Sequence, residues 1–458
     1  MTEGNEKAAR RGKAIAAHVA LVCIAIGAAP VAARQGDADA TMATRTPAIA
    51  ELVGSVSAER LQEYLTRLVD FGTRHTMSDT MSTTRGIGAA RRYIHGMFEQ
   101  FSRACGGCLT VSYDPHDVVI TRHPERPTWR VVNVMALLRG RTDPTRLIVV
   151  TGHYDSCICS IDNMDATSDA PGANDDGSGT VAVMELARVF SEKFPQGLDA
   201  SVLFVPVAGE EMGLLGSTAL AARLAREGEY AIEAAFTNDI AGNVRDSEGR
   251  VDSTSIRVFA PEPDDGPSRQ LARLVESVAE LYTPGLDVRV IERLDRIGRG
   301  GDHRPFWEQG LAAVRVSESH ENFGRQHRPE DTIDGVHFPY VEKVTRLNAA
   351  AIAELALAPA PPADLRMRRV RGGGDSDYQL TWSAVENAPD LAGYEVTVRR
   401  TTDHMPMRVI PVGNVTTYVL QDTQADDLWI GVRTVDRDGH RSLIRSFHSP
   451  ERLPGGGR

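Results

Sequence analysis

The spacing of apolar residues changes several times along the chain and predicts its secondary structure. Between residues 57 and 101 the spacing is helical, and a polar break at 75–84 divides it into two predicted helices. Short β-rich runs follow at 131–138 and 147–150. Predicted strands then alternate with predicted helices, the strands at 201–207, 234–240 and 311–316 and the helices at 180–190, 214–224, 268–282 and 341–355. This alternation predicts an α/β layered domain with a mostly parallel central sheet.

The pattern changes near residue 358, where a Pro-rich segment at 358–364 predicts a stiff linker. Beyond it no helical stretch separates the short runs of alternating polarity at 378–382, 394–398, 417–420 and 429–435. Such a series predicts a small β-sandwich over 365–450, with a hairpin turn at 436–439. The Gly-rich end, 451–458, is expected to be a flexible tail.

The first 33 residues resemble a secretion signal in their order of charge and hydrophobicity. Four basic residues between positions 7 and 13 precede an apolar run at 14–29, and small residues lead up to Ala33. We expect cleavage after Ala33, export to the periplasm or the medium, and a linker over 34–50. The alternative is an uncleaved N-terminal anchor, because the apolar run approaches membrane-spanning length.

Cleavage after Ala33 would leave four of the five cysteines. An even number of cysteines in an exported chain predicts disulfide bonds, and the spacing leaves their pairing open. A redox motif and a zinc site are the alternatives, although nothing thioredoxin-like surrounds the C-x-x-C and no finger-like spacing occurs. The candidates are Cys105, Cys108, Cys157 and Cys159.

Composition restricts the class of protein. A chain of 458 residues with 41% hydrophobic and 25% charged residues is globular, and its length predicts two folded units. The single long apolar run excludes a polytopic membrane protein. The formal net charge of −11 argues against nucleic acid as a partner, because phosphate binding requires clustered Lys and Arg.

Five polar turns follow predicted strands or precede a predicted helix, at the edge of an α/β sheet where ligands bind. Taken singly, each has an ordinary structural explanation, such as a helix N-cap for the acidic pair at 175–176 or solvated charge for the pair at 210–211. Together they offer two histidines and several carboxylates, a mixed nitrogen and oxygen ligand set that suits zinc. The turns contain His153 and Asp155, Asp175 and Asp176, Glu210 and Glu211, Asp239, and His320 with His327.

In these motifs and in their order, residues 51–357 resemble the zinc metallopeptidases of family M28, the Streptomyces/Aeromonas aminopeptidase group. The resemblance implies a three-layer zinc-peptidase fold with two Zn²⁺ ions. By the same resemblance, His153 and Asp239 would bind one ion, Glu211 and His327 the other, and Asp175 both. Two catalytic residues are implied, Glu210 as the general base and Asp155 as the residue that orients His153.

The chain departs from the family pattern in two places. The interval from His153 to Asp175 is long and contains two cysteines, and no Tyr lies near His327, where the family often has one to stabilise the tetrahedral intermediate. The family's Ser-Asp-His turn corresponds to Gly301, Asp302 and His303 here. We interpret Asp302 and His303 as a supporting layer beside the site, with a purely structural role as the alternative.

The implied function is that of an exported di-zinc exopeptidase, an aminopeptidase that hydrolyses peptide bonds with metal-activated water and Glu210 as base. Three alternatives share the fold: a glutamate-carboxypeptidase-like enzyme, a glutaminyl-cyclase-like enzyme and a catalytically inactive receptor-like ectodomain. A serine hydrolase is disfavoured because the chain has no G-x-S-x-G motif. The C-terminal unit resembles a fibronectin type III module through Trp382, Tyr394 and the strand at 432–436.

Overall fold

The computed structural model describes residues 45–159, 164–370 and 376–447. The predicted signal segment 1–33, most of the predicted linker and the predicted tail 451–458 therefore lie outside the described residues. The helices in the described part are α1 (Pro47–Gly54), α2 (Ala58–Val69), α3 (Gly86–Ala104), α4 (Gly179–Lys193), α5 (Leu215–Glu227), α6 (Pro267–Tyr282), α7 (Arg304–Glu308) and α8 (Phe338–Leu357). None of these helices combines the length and the apolar character that a membrane span requires.

A central sheet of eight strands organises the first domain, in the order β1-β2-β4-β3-β5-β8-β6-β7. Its middle strands β4, β3, β5 and β8 are parallel, which confirms the predicted mostly parallel α/β sheet. The strands are β1 (Leu109–Val119), β2 (Thr128–Leu138), β3 (Asp143–His153), β4 (Ala200–Val207), β5 (Ala231–Asn238), β6 (Ser255–Phe259), β7 (Asp287–Ile291) and β8 (Ala313–Glu318).

Both faces of the middle strands are covered by helices, so the domain has three layers. On β3, Ile148 and Val150 belong to the apolar cluster that includes α4 and α8. The alternate residues Leu147 and Val149 belong to a second cluster that includes residues of α5 and α7. Strands covered on both faces contain continuous apolar runs, such as Leu147 to Val150 of β3, which is why they were recognisable in the sequence.

Some elements differ from the sequence prediction. Helix α1 begins at Pro47, inside the segment predicted as a linker over 34–50, because Ile49, Leu52 and Val53 are buried. Strand β1 was not predicted, because it is half exposed and Pro115 interrupts its alternation of apolar and polar residues. Proline is tolerated in β1 because this strand lies at the edge of the sheet. Strand β9 begins at Ala363, so the linker predicted to end at residue 364 ends slightly earlier.

The C-terminal unit consists of two antiparallel sheets. One has the order β13-β10-β9 and the other β12-β11-β14-β15. Trp382 and Tyr394 pack in its core with ring centroids 5.4 Å apart. The strands are β9 (Ala363–Arg369), β10 (Tyr378–Ser383), β11 (Leu391–Arg400), β12 (Arg408–Gly413), β13 (Thr417–Leu420), β14 (Leu428–Asp436) and β15 (Arg445–Ser446).

This sandwich packs directly against the first domain. The Asp264 carboxylate accepts hydrogen bonds at 2.7 Å from both Arg273 of α6 and Arg399 of β11. The backbone N–H of Arg441 donates to the Glu354 carboxylate of α8 at 3.0 Å. These contacts fix the sandwich to the helical layer, and no described residue of the sandwich lines the cleft that holds the candidate site.

The four predicted cysteines form two local disulfides. Cys105 bonds to Cys108 just after α3, and Cys157 bonds to Cys159 just after β3. The pairing that the spacing had left open is therefore between near neighbours in both cases. The second disulfide lies at the rim of the cleft described below.

Candidate metal centre

The predicted site residues come together at one edge of the central sheet. Strand β3 ends at His153, and Asp239 directly follows the end of β5. Glu210 and Glu211 lie in the turn after β4, Asp175 in the turn before α4, and His327 in the loop after β8. Because β3, β4, β5 and β8 are parallel, their carboxyl ends meet at this edge.

The first group surrounds the imidazole of His153. Its Nε2 atom lies 3.3 Å from Asp175 Oδ1 and 3.8 Å from Asp239 Oδ1. One ligand atom from each residue lies within 4.8 Å of the others, the spacing of groups that can share a metal ion. All three residues are buried, so without a cation their charges would be poorly solvated.

The second group surrounds the imidazole of His327. Its Nε2 atom lies 3.1 Å from Asp175 Oδ2 and 3.1 Å from Glu211 Oε2. Asp175 therefore presents one oxygen to each histidine. The structure thus places these five residues as a pair of adjoining ligand groups that share one carboxylate.

Two buried atoms show that the residues fit a metal. The Nδ1 atom of His153 lies 3.1 Å from the backbone carbonyl of Asp155, which assigns the ring hydrogen to Nδ1 and leaves a lone pair on Nε2. Within the described residues, His153 Nε2 and Glu211 Oε1 are both buried without a hydrogen-bond partner. A buried polar atom is costly to leave unpaired, and a cation in each group would give each of these atoms a partner.

Asp155 contacts His153 through two groups. Its backbone carbonyl lies 3.1 Å from Nδ1 of His153, and its carboxylate Oδ1 lies 3.6 Å from the same atom, at ion-pair distance. The carboxylate also accepts hydrogen bonds from the backbone N–H groups of Glu210 at 3.2 Å and Glu211 at 3.3 Å, and from the Thr76 hydroxyl at 2.8 Å. Asp155 therefore positions both the imidazole and the Glu210–Glu211 turn.

Glu210 faces the space between the two groups. Its Oε2 atom lies 3.9 Å from His153 Nε2, and its side chain is 15% exposed. Burial, together with the neighbouring carboxylates of Glu211 and Asp239, raises the pKa of Glu210. A carboxyl group with a raised pKa that faces a cleft is suited to accept and return a proton.

The other pKa shifts in the site follow from burial and neighbouring charge. Burial opposes protonation of His327, but the carboxylates of Glu211 and Asp175 outweigh it and raise the pKa of His327 to about 11. Burial raises the pKa of Asp302 to about 7 and lowers that of His303 to about 4. The carboxylates that raise the pKa of His327 would attract a metal cation to this position by the same electrostatic effect.

Asp302 and His303 lie behind the ligand groups and are fully buried. The Ser217 hydroxyl of α5 donates a hydrogen bond to Asp302, and the Nε2–H of His303 donates to the backbone carbonyl of Leu294 at 2.7 Å. These contacts hold the turn before α7 against its neighbours. Neither residue belongs to the two ligand groups, and their supporting role beside the site stays a prediction.

Several supporting residues were missed by the sequence analysis. Asp176 accepts hydrogen bonds from the backbone N–H groups of His153, Gly179 and Ile240 at 2.9, 2.9 and 3.1 Å, and so joins β3, α4 and β5. Asp331 accepts from the backbone N–H of Asp175 at 2.9 Å. Only the adjacency of Asp176 to Asp175 marked it in the sequence, and Asp331 had no comparable mark.

Arg315 is another supporting residue that the sequence analysis missed, and it is a buried cation. It lies in β8, ion-paired with Asp239 at 3.2 Å and with Asp295 at 2.8 Å. A charged residue between the apolar residues Val314 and Val316 of β8 could have indicated this role, because such a residue is rarely buried without a partner.

The site opens into a cleft of about 1220 Å³. Leu214, Phe323 and the Cys157–Cys159 turn contribute to its wall, and Gln326 donates a hydrogen bond to Asp175 at 2.8 Å. No tyrosine lines the described part of this cleft, in agreement with the departure noted in the sequence. The cleft is large enough to admit several residues of a peptide.

An α/β sheet with histidine and carboxylate ligand groups at the carboxyl ends of its parallel strands defines the class of metal-dependent hydrolases. Within that class, the chain belongs to peptidase family M28, whose family model matches residues 133–352. It is 36% identical over 421 residues to a probable zinc metalloprotease of Leptosphaeria maculans, covering 86% of this chain and 95% of the relative. The protein is therefore a zinc-dependent metallopeptidase.

Solved structures of low sequence identity share the fold. The LapA aminopeptidase of Legionella pneumophila is 20% identical with a TM-score of 0.52, covering 67% of this chain and 74% of its own. A glutaminyl cyclase of Porphyromonas gingivalis is 15% identical with a TM-score of 0.50, covering 66% of this chain and 99% of its own. At this identity the likeness concerns the fold alone, which supports more than one type of chemistry.

Proposed function

We propose that the protein is an exported exopeptidase, an aminopeptidase that uses two zinc ions and Glu210 as its general base. The observation that carries the proposal is the position of Asp175, whose two oxygens lie 3.3 Å from His153 Nε2 and 3.1 Å from His327 Nε2. A carboxylate placed between two histidine groups is suited to bridge two cations. His153, Asp175 and Asp239 would hold one ion, and Asp175, Glu211 and His327 the other.

The residues of this chain divide the chemistry among them. Zinc bound in this cluster supplies Lewis-acid chemistry, polarising the scissile carbonyl and making water a better nucleophile at neutral pH. Glu210 accepts the proton of the attacking water and passes it to the leaving amine. Asp155 holds Glu210 in place through the backbone N–H, and the buried walls of the site strengthen each charge interaction.

The role of Glu210 is tested by a variant that keeps the shape of its side chain and removes the negative charge. Glu210→Gln is expected to retain zinc, because Glu210 is outside both proposed ligand groups, and to lower kcat by at least about 10²-fold. Glu229→Gln, an exposed change at a distance from the cleft, is the matched control. Normal turnover by Glu210→Gln with full zinc content would remove Glu210 from the base role.

The exopeptidase mode is tested by comparing free and N-acetylated peptides as substrates, with zinc content measured by elemental analysis. Cleavage of the free-amine series alone supports an aminopeptidase, and equal cleavage of both series supports the carboxypeptidase alternative. Formation of pyroglutamate from an N-terminal glutamine, with one zinc per chain, would instead support the cyclase alternative. Two zinc ions per chain with no turnover of any of these substrates would favour an inactive ectodomain.

Export remains a proposal that the two disulfides support, since such bonds persist in oxidising compartments. Expression of the whole chain in a bacterial host, followed by intact-mass measurement of the exported protein, tests cleavage after Ala33. A product that keeps the first 33 residues and stays with the membrane would show the uncleaved anchor instead.

A further inference from the structure

The cleft is rich in arginine although the protein as a whole carries a net charge of −11. Five arginines line it, and its only acidic residues within the described lining are the four at the metal centre. Two divalent cations carry as much positive charge as those four carboxylates carry negative charge. The balance of charge in the loaded cleft therefore depends on the arginines, which are Arg122, Arg296, Arg299, Arg304 and Arg328.

Two of the five are already neutralised by carboxylates. Arg296 binds Asp295 at 2.9 Å and Glu321 at 2.7 Å. Arg304 binds Glu308 at 2.8 Å. These two side chains contribute little net charge to the cleft, because each is compensated by an adjacent anion.

The other three arginines, which we call the basic trio, have no carboxylate to themselves among the described residues. Arg122, from the loop between β1 and β2, donates to the backbone carbonyl of Glu211 at 2.9 Å. Arg299 donates a hydrogen bond to the side-chain oxygen of Gln326 at 3.2 Å. The Glu321 carboxylate lies 3.6 Å from Arg299, but it already binds Arg296 at 2.7 Å. Arg328 is exposed, and its guanidinium has no ion pair or hydrogen bond to another residue in the described part of the chain, although its backbone carbonyl accepts a hydrogen bond from the N–H of Asp331 at 3.1 Å.

The basic trio is grouped around one side of the metal centre. Arg122 contacts the backbone of Glu211, Arg328 is the next residue after His327, and Arg299 contacts Gln326, the residue before it. Glu211 and His327 both belong to the second ligand group. Three cations from three separate loops thus line the cleft and lie beside residues of that group in space or in sequence, where they would attract an anion on the substrate.

Resting on the proposed function, we infer that the basic trio selects peptides that carry a carboxylate within one residue of the scissile bond. The carboxylate can be an acidic side chain or the free C-terminus of a dipeptide, since both present the same planar anion to guanidinium groups. A neutral peptide would offer no anion to the three guanidinium groups. The trio is therefore a specificity determinant and takes no part in bond cleavage.

Two peptide pairs separate the possible sources of the carboxylate. Leu-Glu-Leu-amide against Leu-Gln-Leu-amide reports on an acidic side chain, and Leu-Leu against Leu-Leu-amide reports on a terminal carboxylate. Affinities are measured by titration calorimetry with the zinc-loaded Glu210→Gln variant, and kcat/KM with the unchanged enzyme. An exposed ion pair changes affinity by up to about fivefold, so two or three acting together should favour the anionic member of at least one pair by about tenfold at low salt.

The preference should depend on the trio and on ionic strength. The triple variant Arg122→Gln, Arg299→Gln, Arg328→Gln should reduce the preference to about twofold or less, and added salt should reduce it in the unchanged enzyme. Arg328→Gln alone, at an exposed position, should lower it part of the way. Arg226→Gln is the matched control. Arg226 is exposed in the last turn of α5, at the opposite end of this helix from Leu214, which lines the cleft.

Equal affinities for the two members of both pairs would overturn the inference, as would a preference that survives in the triple variant. Absence of hydrolysis of all four peptides by the zinc-loaded enzyme would count against the proposed function instead. In that case the calorimetric comparison still decides whether the basic trio selects carboxylates.

Discussion

Replacement of Arg315 by methionine should destabilise the metal-free protein more than the zinc-loaded protein. The Arg315 guanidinium is fully buried and lies 3.2 Å from Asp239 and 2.8 Å from Asp295. Methionine keeps most of the side-chain stem but removes the charge. Asp295 retains Arg296 at 2.9 Å, whereas Asp239 is left with His153 at 3.8 Å.

The expected size follows from these contacts. Removing one partner of a buried ion pair typically costs about 3–5 kcal/mol, because the other charge is left unpaired. We expect a loss of about 3 kcal/mol in the metal-free protein. Zinc beside Asp239 would replace the missing cation, so the loss with zinc should be only about 1 kcal/mol. The difference of about 2 kcal/mol corresponds to apparent zinc binding about thirtyfold tighter in the variant.

Urea unfolding in excess chelator and in excess zinc measures both losses. Arg146→Met is the matched control, because Arg146 is also a buried strand arginine, paired with Glu233 at 2.7 Å, but lies at the opposite end of β3 from His153. Its cost should be the same with and without zinc. If Arg315→Met costs the same free energy under both conditions, then Asp239 does not lie beside a bound cation.

Three further outcomes are expected. The Asp175→Asn variant should lose nearly all its bound zinc, because both ligand groups use Asp175, whereas the Glu211→Gln variant should keep about half. Elemental analysis measures the zinc content, and equal losses in the two variants would contradict a shared carboxylate. Chelation should abolish peptide hydrolysis and lower the Tm, and zinc should restore both. Burial lowers the pKa of His440, but its hydrogen bond to Asp436 outweighs burial and leaves that pKa raised. The stability that this pair contributes is therefore complete below the ordinary histidine pKa of about 6.5 and is lost as the pH rises through the higher folded value. The loss caused by His440→Gln in urea unfolding should shrink with increasing pH, and a growing loss would contradict this sign.

The sequence determined the elements whose character is local. The middle strands are buried on both faces and therefore appear as continuous apolar runs, as at β3 and β4. Parallel strands bring their carboxyl ends to one edge, so polar residues that follow such runs converge even when they are far apart in the chain. Most of the polar turns were recognisable for that reason, whereas the resemblance to family M28 singled out the ligands within them, which are His153, Asp175, Glu211, Asp239 and His327. Strand β1 was not identifiable, because a half-exposed edge strand mixes polar and apolar residues.

Only the tertiary structure decided which polar residues support the site and which atoms they use. Arg315 and Asp239 are 76 residues apart, and Asp331 and Asp175 are 156 apart, so no local pattern connects them. The shortest contact of Asp155 with His153 is made by a backbone carbonyl, which every residue has and no sequence reveals. Side-chain chemistry and local periodicity are written in the sequence, whereas the pairing of buried charges depends on distances that exist only after the chain has folded.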